Sequence, residues 1–143
     1  LYDELLLKYP YAGRSFIPRD RAARDREARI KLLSSGEDCS GKVIAVCDDS
    51  IVRGTQTQTE LVPKLRAAGV KEIHFRISYP ELRSQCHWGK TTSKGELLAT
   101  RIPAVEERVK YLGVEGLEYN TLADVAEAIG RPLDRLCVDC ARD

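Results

Sequence analysis

Several features that would place a protein in a specialised class are missing from this sequence. No apolar run approaches the about 20 residues of a membrane-spanning helix, and Lys8 and Pro10 interrupt the apolar start before a secretory signal can form. Lys and Arg number 23 against 22 Asp and Glu, so no basic excess indicates nucleic-acid binding. The five cysteines are an odd number, which argues against a disulfide framework. We therefore expect a cytoplasmic protein without membrane or nucleic-acid partners.

The length is sufficient for one domain with a sizeable core. A chain of 143 residues buries roughly two-thirds of its unfolded surface, and 43% hydrophobic residues is ordinary for a globular protein. The first residue is Leu1 rather than Met, which indicates a piece of a longer protein.

One segment combines a predicted strand, an acidic pair, a turn and the start of a helix. The apolar run Val43–Cys47 predicts a buried strand, with Cys47 as a small buried side chain, and Asp48 and Asp49 follow it. Backbone N–H groups at a helix start favour an anion. Adjacent carboxylates accept hydrogen bonds from sugar hydroxyls or help hold Mg²⁺. A ligand with both a phosphate and a ribose fits this pattern, whereas the alternative is a solvated turn with an N-cap.

The hydrophobic periodicity predicts an α/β fold. The predicted elements are an N-terminal helix Asp3–Lys8, a helix Thr55–Ala68 with an awkward interior Pro63, a strand Glu72–Ser78, and helices Val105–Leu112 and Leu122–Ile129. Residues 19–33 indicate a charged helix or a mobile loop, and residues 101–143 a mostly helical tail in which Thr121 and Asp124 form a capping box. Strand, helix and strand at this spacing form a βαβ unit with parallel strands, and ligands bind at the carboxyl ends of such strands.

The run Asp-Asp-Ser-Ile-Val-Arg-Gly-Thr at 48–55 resembles the phosphoribosyl-pyrophosphate (PRPP) signature of type I phosphoribosyltransferases, and in particular that of the glutamine PRPP amidotransferases. The resemblance implies that Asp48 and Asp49 hold the ribose hydroxyls and Mg²⁺. It also implies a phosphate cradle formed by Ser50, Ile51, Val52, Arg53, Gly54, Thr55 and Gln56. Gln56 stands where the family usually has a second threonine, so we expect altered contacts rather than lost binding.

A second segment carries the same resemblance. Tyr-Ala-Gly-Arg-Ser-Phe-Ile at 11–17 is similar to the opening of the flexible loop that closes over PRPP in these amidotransferases. The resemblance implies that Arg14 and Lys31, at the two ends of this loop, face the departing pyrophosphate, where preplaced cations stabilise developing charge. The alternative is a solvated charged helix.

The cysteines provide a further signal. Cys137 and Cys140 form a C-x-x-C, and Cys86 precedes His87. In the iron–sulfur branch of the amidotransferases, three ligands match Cys86, Cys137 and Cys140. The resemblance therefore implies a cluster of the 4Fe–4S type, with a fourth ligand further upstream. The residue types equally suit Zn²⁺, with His87 as a conceivable fourth ligand, or free thiols.

The resemblance covers most of the chain and implies the second half of a type I phosphoribosyltransferase domain (residues 1–100) with a C-terminal helical extension (residues 101–143). It implies transfer of ammonia to C1 of PRPP with release of pyrophosphate, nucleotide inhibitors, a homo-oligomer, and a glutaminase domain supplied by a preceding part or by another chain. Three alternatives remain: a phosphoribosyltransferase that acts on a free base, a non-enzymatic regulator that senses PRPP, and a structural metal-binding module.

Overall fold

A computed structural model of the chain describes residues 6–8, 32–34, 39–88 and 92–142. The chain divides into two compact units: Leu1–Lys42 with Thr55–Lys71, and Val43–Gly54 with Glu72–Asp143. Among the described residues, every helix is too short or too polar to traverse a lipid bilayer.

The first unit contains a short antiparallel pair, β1 (Leu6–Lys8) and β2 (Leu32–Ser34). The prediction of a helix over Asp3–Lys8 is therefore wrong for its last three residues. A six-residue helix is marginal by itself, because few of its backbone groups find a partner within the helix. Pairing with β2 supplies hydrogen bonds to the backbone of β1 instead.

The predicted helix after the acidic pair is confirmed, with an irregularity. A π-helical turn, Thr57–Leu61, leads directly into α1 (Val62–Ala67). Pro63 lies in the first turn of α1, where a proline removes no helical hydrogen bond. The π-turn therefore places the proline where its missing N–H does no harm.

The second unit is built on a three-stranded parallel sheet, in the order β3 (Val43–Asp48), β4 (Glu72–Ile77), β5 (Gly116–Tyr119). Val43 lies opposite Glu72, and Asp48 opposite Ile77. The parallel pairing of β3 and β4 confirms the predicted βαβ unit.

The other elements of this unit surround the sheet in sequence. They are a 3₁₀ turn Lys94–Glu96, α2 (Leu98–Arg101), α3 (Val105–Leu112), α4 (Leu122–Ile129), and 3₁₀ turns Leu133–Arg135 and Asp139–Ala141. The two predicted C-terminal helices have the predicted bounds. Thr121 caps α4 with the capping box to Asp124 that the sequence predicts.

The core of the second unit lies on one face of β4. Ile73, Phe75 and Ile77 alternate along this strand and are at most 2% exposed, and Leu117 of β5 and Leu112 of α3 are also buried. Burial of each such side chain stabilises the fold by about 1.5–3 kcal/mol.

Two predictions about the strands are corrected. β3 is not buried: Val43 is 56% exposed, and Cys47, predicted to lie in the core, is exposed. Among the described residues β3 pairs only with β4, so it forms an edge of the sheet. The tail predicted as mostly helical contains β5, which the sequence pattern misses because Gly and Glu are poor strand formers.

Candidate functional site

The acidic pair lies at the carboxyl edge of the sheet. Asp48 is the last residue of β3, and its carbonyl accepts a hydrogen bond from Ser78 N at 2.9 Å. The Asp49 carbonyl accepts one from Tyr79 N at 3.0 Å. Backbone pairing to the segment after β4 thus holds both acids beyond the strand ends, where open parallel sheets bind ligands.

The two carboxylates are exposed and linked to their neighbours. The Asp49 N–H donates to Asp48 Oδ1 at 2.9 Å, and the Ser50 hydroxyl donates to Asp49 Oδ1 at 3.1 Å. Partial burial raises the pKa of Asp48; the charge of Asp49 adds to the rise, and the hydrogen bond from Asp49 N opposes it. Two adjacent acids at an open edge attract a cation or hydroxyl donors.

The turn that follows, residues 50–54 (called the 50–54 loop), is anchored by its apolar members. Ile51 is 6% exposed. Gly54 is buried and has φ +72°, a left-handed conformation that favours glycine. The loop therefore has one shape fixed by packing.

Two carbonyls of the 50–54 loop are bound by α2. Leu98 N donates to Val52 O at 2.8 Å, and Arg101 Nη2 donates to Arg53 O at 3.1 Å. Among the described residues, no acceptor lies within hydrogen-bond reach of the backbone N–H groups of Ser50, Ile51, Val52 and Gly54. The loop thus has its carbonyls bound and its N–H groups available for an anion.

The Arg53 side chain is oriented by an acid that sequence reasoning missed. Arg53 Nη2 lies 3.2 Å from Glu96 Oε1, and Glu96 Oε2 accepts hydrogen bonds from the backbone and hydroxyl of Ser93. These Ser93 contacts, together with Arg53, lower the pKa of Glu96. The spacing Ser93-x-x-Glu96 could have predicted the capping box, but not the pairing with Arg53.

The remaining predicted ligand residues are separate from this cluster. Thr55 and Gln56 begin the helical segment of the first unit, where the Thr55 carbonyl accepts a hydrogen bond from the Thr59 hydroxyl at 2.9 Å. Arg14 and Lys31 lie outside the described residues.

The three predicted metal-binding cysteines lie around Tyr79 in the second unit. Cys140 Sγ is 3.7 Å from Tyr79 Oη, and Cys86 and Cys140 line one cavity of about 180 Å³. Burial, the Cys140 hydrogen bond and then the charges of Cys140, Cys137 and Cys86 raise the pKa of Tyr79 to about 12. Among the described residues, however, no three His, Cys, Asp or Glu side chains converge as a metal site. Their present arrangement therefore does not fit a metal ion or a cluster.

Comparisons with known proteins agree with this geometry. The chain is 38% identical over 139 residues to an amidophosphoribosyltransferase of Synechococcus elongatus, and 37% identical over 133 residues to that of Bacillus subtilis. These matches cover 97% and 93% of this chain but 28% of either relative, so the chain spans less than a third of the length of the curated relatives it matches. No protein-family model matches the sequence.

Solved structures give the same result. The glutamine PRPP amidotransferase from B. subtilis, complexed with ADP and GMP, superposes with a TM-score of 0.73 at 34% identity, over 99% of this chain and 30% of that one. An allosteric regulatory enzyme of purine biosynthesis superposes with a TM-score of 0.72 at 34% identity, with the same coverage. The fold is therefore that of a type I phosphoribosyltransferase domain in part, and the chain is homologous to a segment of the amidophosphoribosyltransferases.

Proposed function

We propose that this chain is the PRPP-binding part of an amidophosphoribosyltransferase, which transfers ammonia to C1 of PRPP and releases pyrophosphate, the first step of purine nucleotide synthesis. One observation carries the proposal: an exposed acidic pair is followed directly by a loop in which the N–H groups of Ser50, Ile51, Val52 and Gly54 have no acceptor among the described residues. Acids for a ribose and donors for a phosphate thus lie side by side at the carboxyl edge of the sheet.

The acidic pair is the ribose end of the proposed site. Asp48 and Asp49 are held by backbone pairing to Ser78 and Tyr79, so their carboxylates need no rearrangement to accept hydrogen bonds from the 2′- and 3′-hydroxyls. Carboxylate oxygens are also the ligands that Mg²⁺ prefers. Mg²⁺ would supply charge neutralisation for the pyrophosphate.

The 50–54 loop is the 5′-phosphate end. Its backbone N–H groups and the Ser50 hydroxyl suit a dianion. Family resemblance extends this cradle to Thr55 and Gln56, which follow directly in the chain.

The pyrophosphate end is assigned by resemblance alone. Arg14 and Lys31 would stabilise the negative charge that develops as pyrophosphate departs. None of the described side chains next to the acidic pair is placed as a general base. The reaction therefore depends on binding, orientation and stabilisation of the leaving group.

The cysteines remain a separate prediction. Cys86, Cys137 and Cys140 have the thiol chemistry of iron–sulfur or zinc ligands, but their arrangement among the described residues does not close around a metal, and no step is derived through one. Iron, sulfide and zinc analyses of protein purified without oxygen test the assignment; protein free of all three contradicts it.

The proposal includes the partners of the complete enzyme. A glutaminase domain would supply the ammonia, nucleotides would act as inhibitors, since the B. subtilis relative is complexed with ADP and GMP, and the protein would act as a cytoplasmic homo-oligomer.

Calorimetric titration of the intact protein with PRPP and Mg²⁺ tests the site. We expect binding that is lost in the variant Asp48→Asn/Asp49→Asn, because amides neither bind Mg²⁺ strongly nor accept as many hydrogen bonds. Asp134→Asn/Asp139→Asn is the matched control, since it removes two exposed charges from the same unit. Equal heats for the two double variants would contradict the proposed site.

Turnover separates the alternatives. Ammonia-dependent release of pyrophosphate supports the amidotransferase. Release only with a free purine or pyrimidine base indicates a different phosphoribosyltransferase, and PRPP binding without any turnover indicates a regulator.

A further inference from the structure

The 50–54 loop is connected to α2 and α3 by a short chain of polar contacts. Arg101, the last residue of α2, donates from Nη2 to Arg53 O at 3.1 Å. The same guanidinium lies 5.5 Å from the centre of the Tyr111 ring and 3.4 Å from its hydroxyl. Tyr111 belongs to α3, so a regular helix fixes the position of an otherwise exposed arginine.

A hydrogen bond to a loop carbonyl also fixes the N–H of the next residue. Each peptide group is planar, and with no cis peptide bonds in the described chain the C=O and N–H point in opposite directions. The bond from Leu98 N to Val52 O therefore aims the Arg53 N–H away from α2. The bond from Arg101 to Arg53 O aims the Gly54 N–H in the same sense.

These two bonds differ in what can be changed. The Leu98 donor is a backbone group that every residue except proline retains. The Arg101 donor is a side chain. Among the described residues no other side chain donates to Arg53 O, so a substitution at Arg101 removes this bond alone.

We propose that Arg101 is a positioning residue for phosphate binding, which acts through the Arg53 carbonyl to hold the Gly54 N–H toward the 5′-phosphate of the substrate. This inference rests on the proposed function, since it assumes that PRPP occupies the 50–54 loop. Arg101 itself touches no substrate, because its guanidinium is engaged with Arg53 O and Tyr111 on the α2 side of the loop.

The kinetic consequence follows from where the phosphate lies in the substrate. The 5′-phosphate is remote from C1, so its hydrogen bonds are equally strong in the ground state and the transition state. Loss of such uniform binding raises KM and leaves kcat unchanged. One disordered donor to a charged group corresponds to a rise of about tenfold.

The test is steady-state kinetics of the intact protein with ammonia and PRPP, for Arg101→Met and Arg101→Lys. We expect Arg101→Met to raise the KM for PRPP about tenfold, with kcat within about twofold. Arg101→Lys keeps a cation and a donor and should recover part of the loss. Inhibition by ribose 5-phosphate should weaken by the same factor, whereas inhibition by pyrophosphate should not change.

Arg76→Met is the matched control. Arg76 is an exposed arginine on β4 of the same unit, paired with Glu118 at 3.3 Å, and its removal changes the net charge equally. A KM for Arg101→Met equal to that of Arg76→Met overturns the inference, as does an equal loss of inhibition by ribose 5-phosphate and pyrophosphate, which would indicate general damage. An unsubstituted protein that neither binds nor turns over PRPP overturns the proposed function and this inference with it.

Discussion

Gly54 faces Leu98 so closely that a Cβ on Gly54 would lie 2.9 Å from Leu98 Cδ2. Leu98 is 1% exposed and belongs to α2, so it has little room to move. The residue that closes the 50–54 loop is therefore restricted to glycine by its positive φ and by its neighbour.

Gly54→Ala should destabilise the protein by about 1–3 kcal/mol, because alanine is strained at positive φ and its methyl group displaces Leu98. The same displacement should weaken PRPP binding. Urea denaturation and calorimetric titration measure the two effects.

Gly95→Ala is the control for this prediction. A methyl group on Gly95 would meet no described atom within 4 Å, and Gly95 has no positive φ, so its replacement should leave stability and binding nearly unchanged. If the two alanine variants behave alike, close packing of the loop against Leu98 is not what requires glycine.

A buried ion pair connects the end of β4 to α3. Arg108 is 1% exposed, and its Nη2 donates to Glu81 Oε1 at 2.8 Å and to Pro103 O at 2.9 Å. Its guanidinium lies 5.5 Å from the centre of the Tyr119 ring. Arg108→Ala should cost about 3–5 kcal/mol, because it leaves the Glu81 charge without its buried partner.

The exposed pair Arg76–Glu118 provides the comparison, since its side chains are 44% and 69% exposed. Arg76→Ala should cost about 0–1 kcal/mol in the same urea experiment. A double variant Arg108→Met/Glu81→Gln should be more stable than Arg108→Ala, because it removes both charges and refills the space. Equal costs for Arg108→Ala and Arg76→Ala would show that burial does not strengthen the pair.

Asp48 should destabilise the folded protein near neutral pH. Burial raises the pKa of Asp48 above its ordinary 3.8, so the folded state binds the proton more tightly than the unfolded chain. The free energy of unfolding then falls as the pH rises between the unfolded and the folded pKa. Asp48→Asn should raise the urea midpoint at about pH 7 and have no effect below about pH 3. A lowered midpoint at neutral pH would contradict this.

Asp124 should show the opposite sign. Hydrogen bonds from the Thr121 hydroxyl and backbone lower the pKa of Asp124 below its ordinary 3.8. Its contribution to stability is present above the unfolded pKa and is lost as the pH falls through the folded pKa. Asp124→Asn should therefore lower the urea midpoint at neutral pH, and the difference should vanish in acid. A midpoint difference that does not depend on pH would assign the effect to packing instead.

The local patterns of the sequence predicted the elements that carry the candidate site. The strand before Asp48, the βαβ unit and both C-terminal helices are confirmed, because apolar periodicity and capping residues act over a few neighbours. β5 was missed and β1 was assigned as helix, since pairing between distant segments decided both.

The partners of the 50–54 loop were equally invisible in the sequence. Glu96 and Arg101 lie more than forty positions from Arg53, and no spacing rule connects them.

The sequence by itself determined the chemistry of this protein: an acidic pair, a glycine-containing turn and three cysteines, at spacings that identify the family. Tertiary structure decided which of these groups lie together. Sheet pairing carried the acids to the carboxyl edge, and α2 bound the loop carbonyls. The cysteines came near Tyr79 without closing around a metal among the described residues. The physical reason is that residue type fixes which bonds a group can form, whereas packing of remote segments fixes whether a partner is within reach.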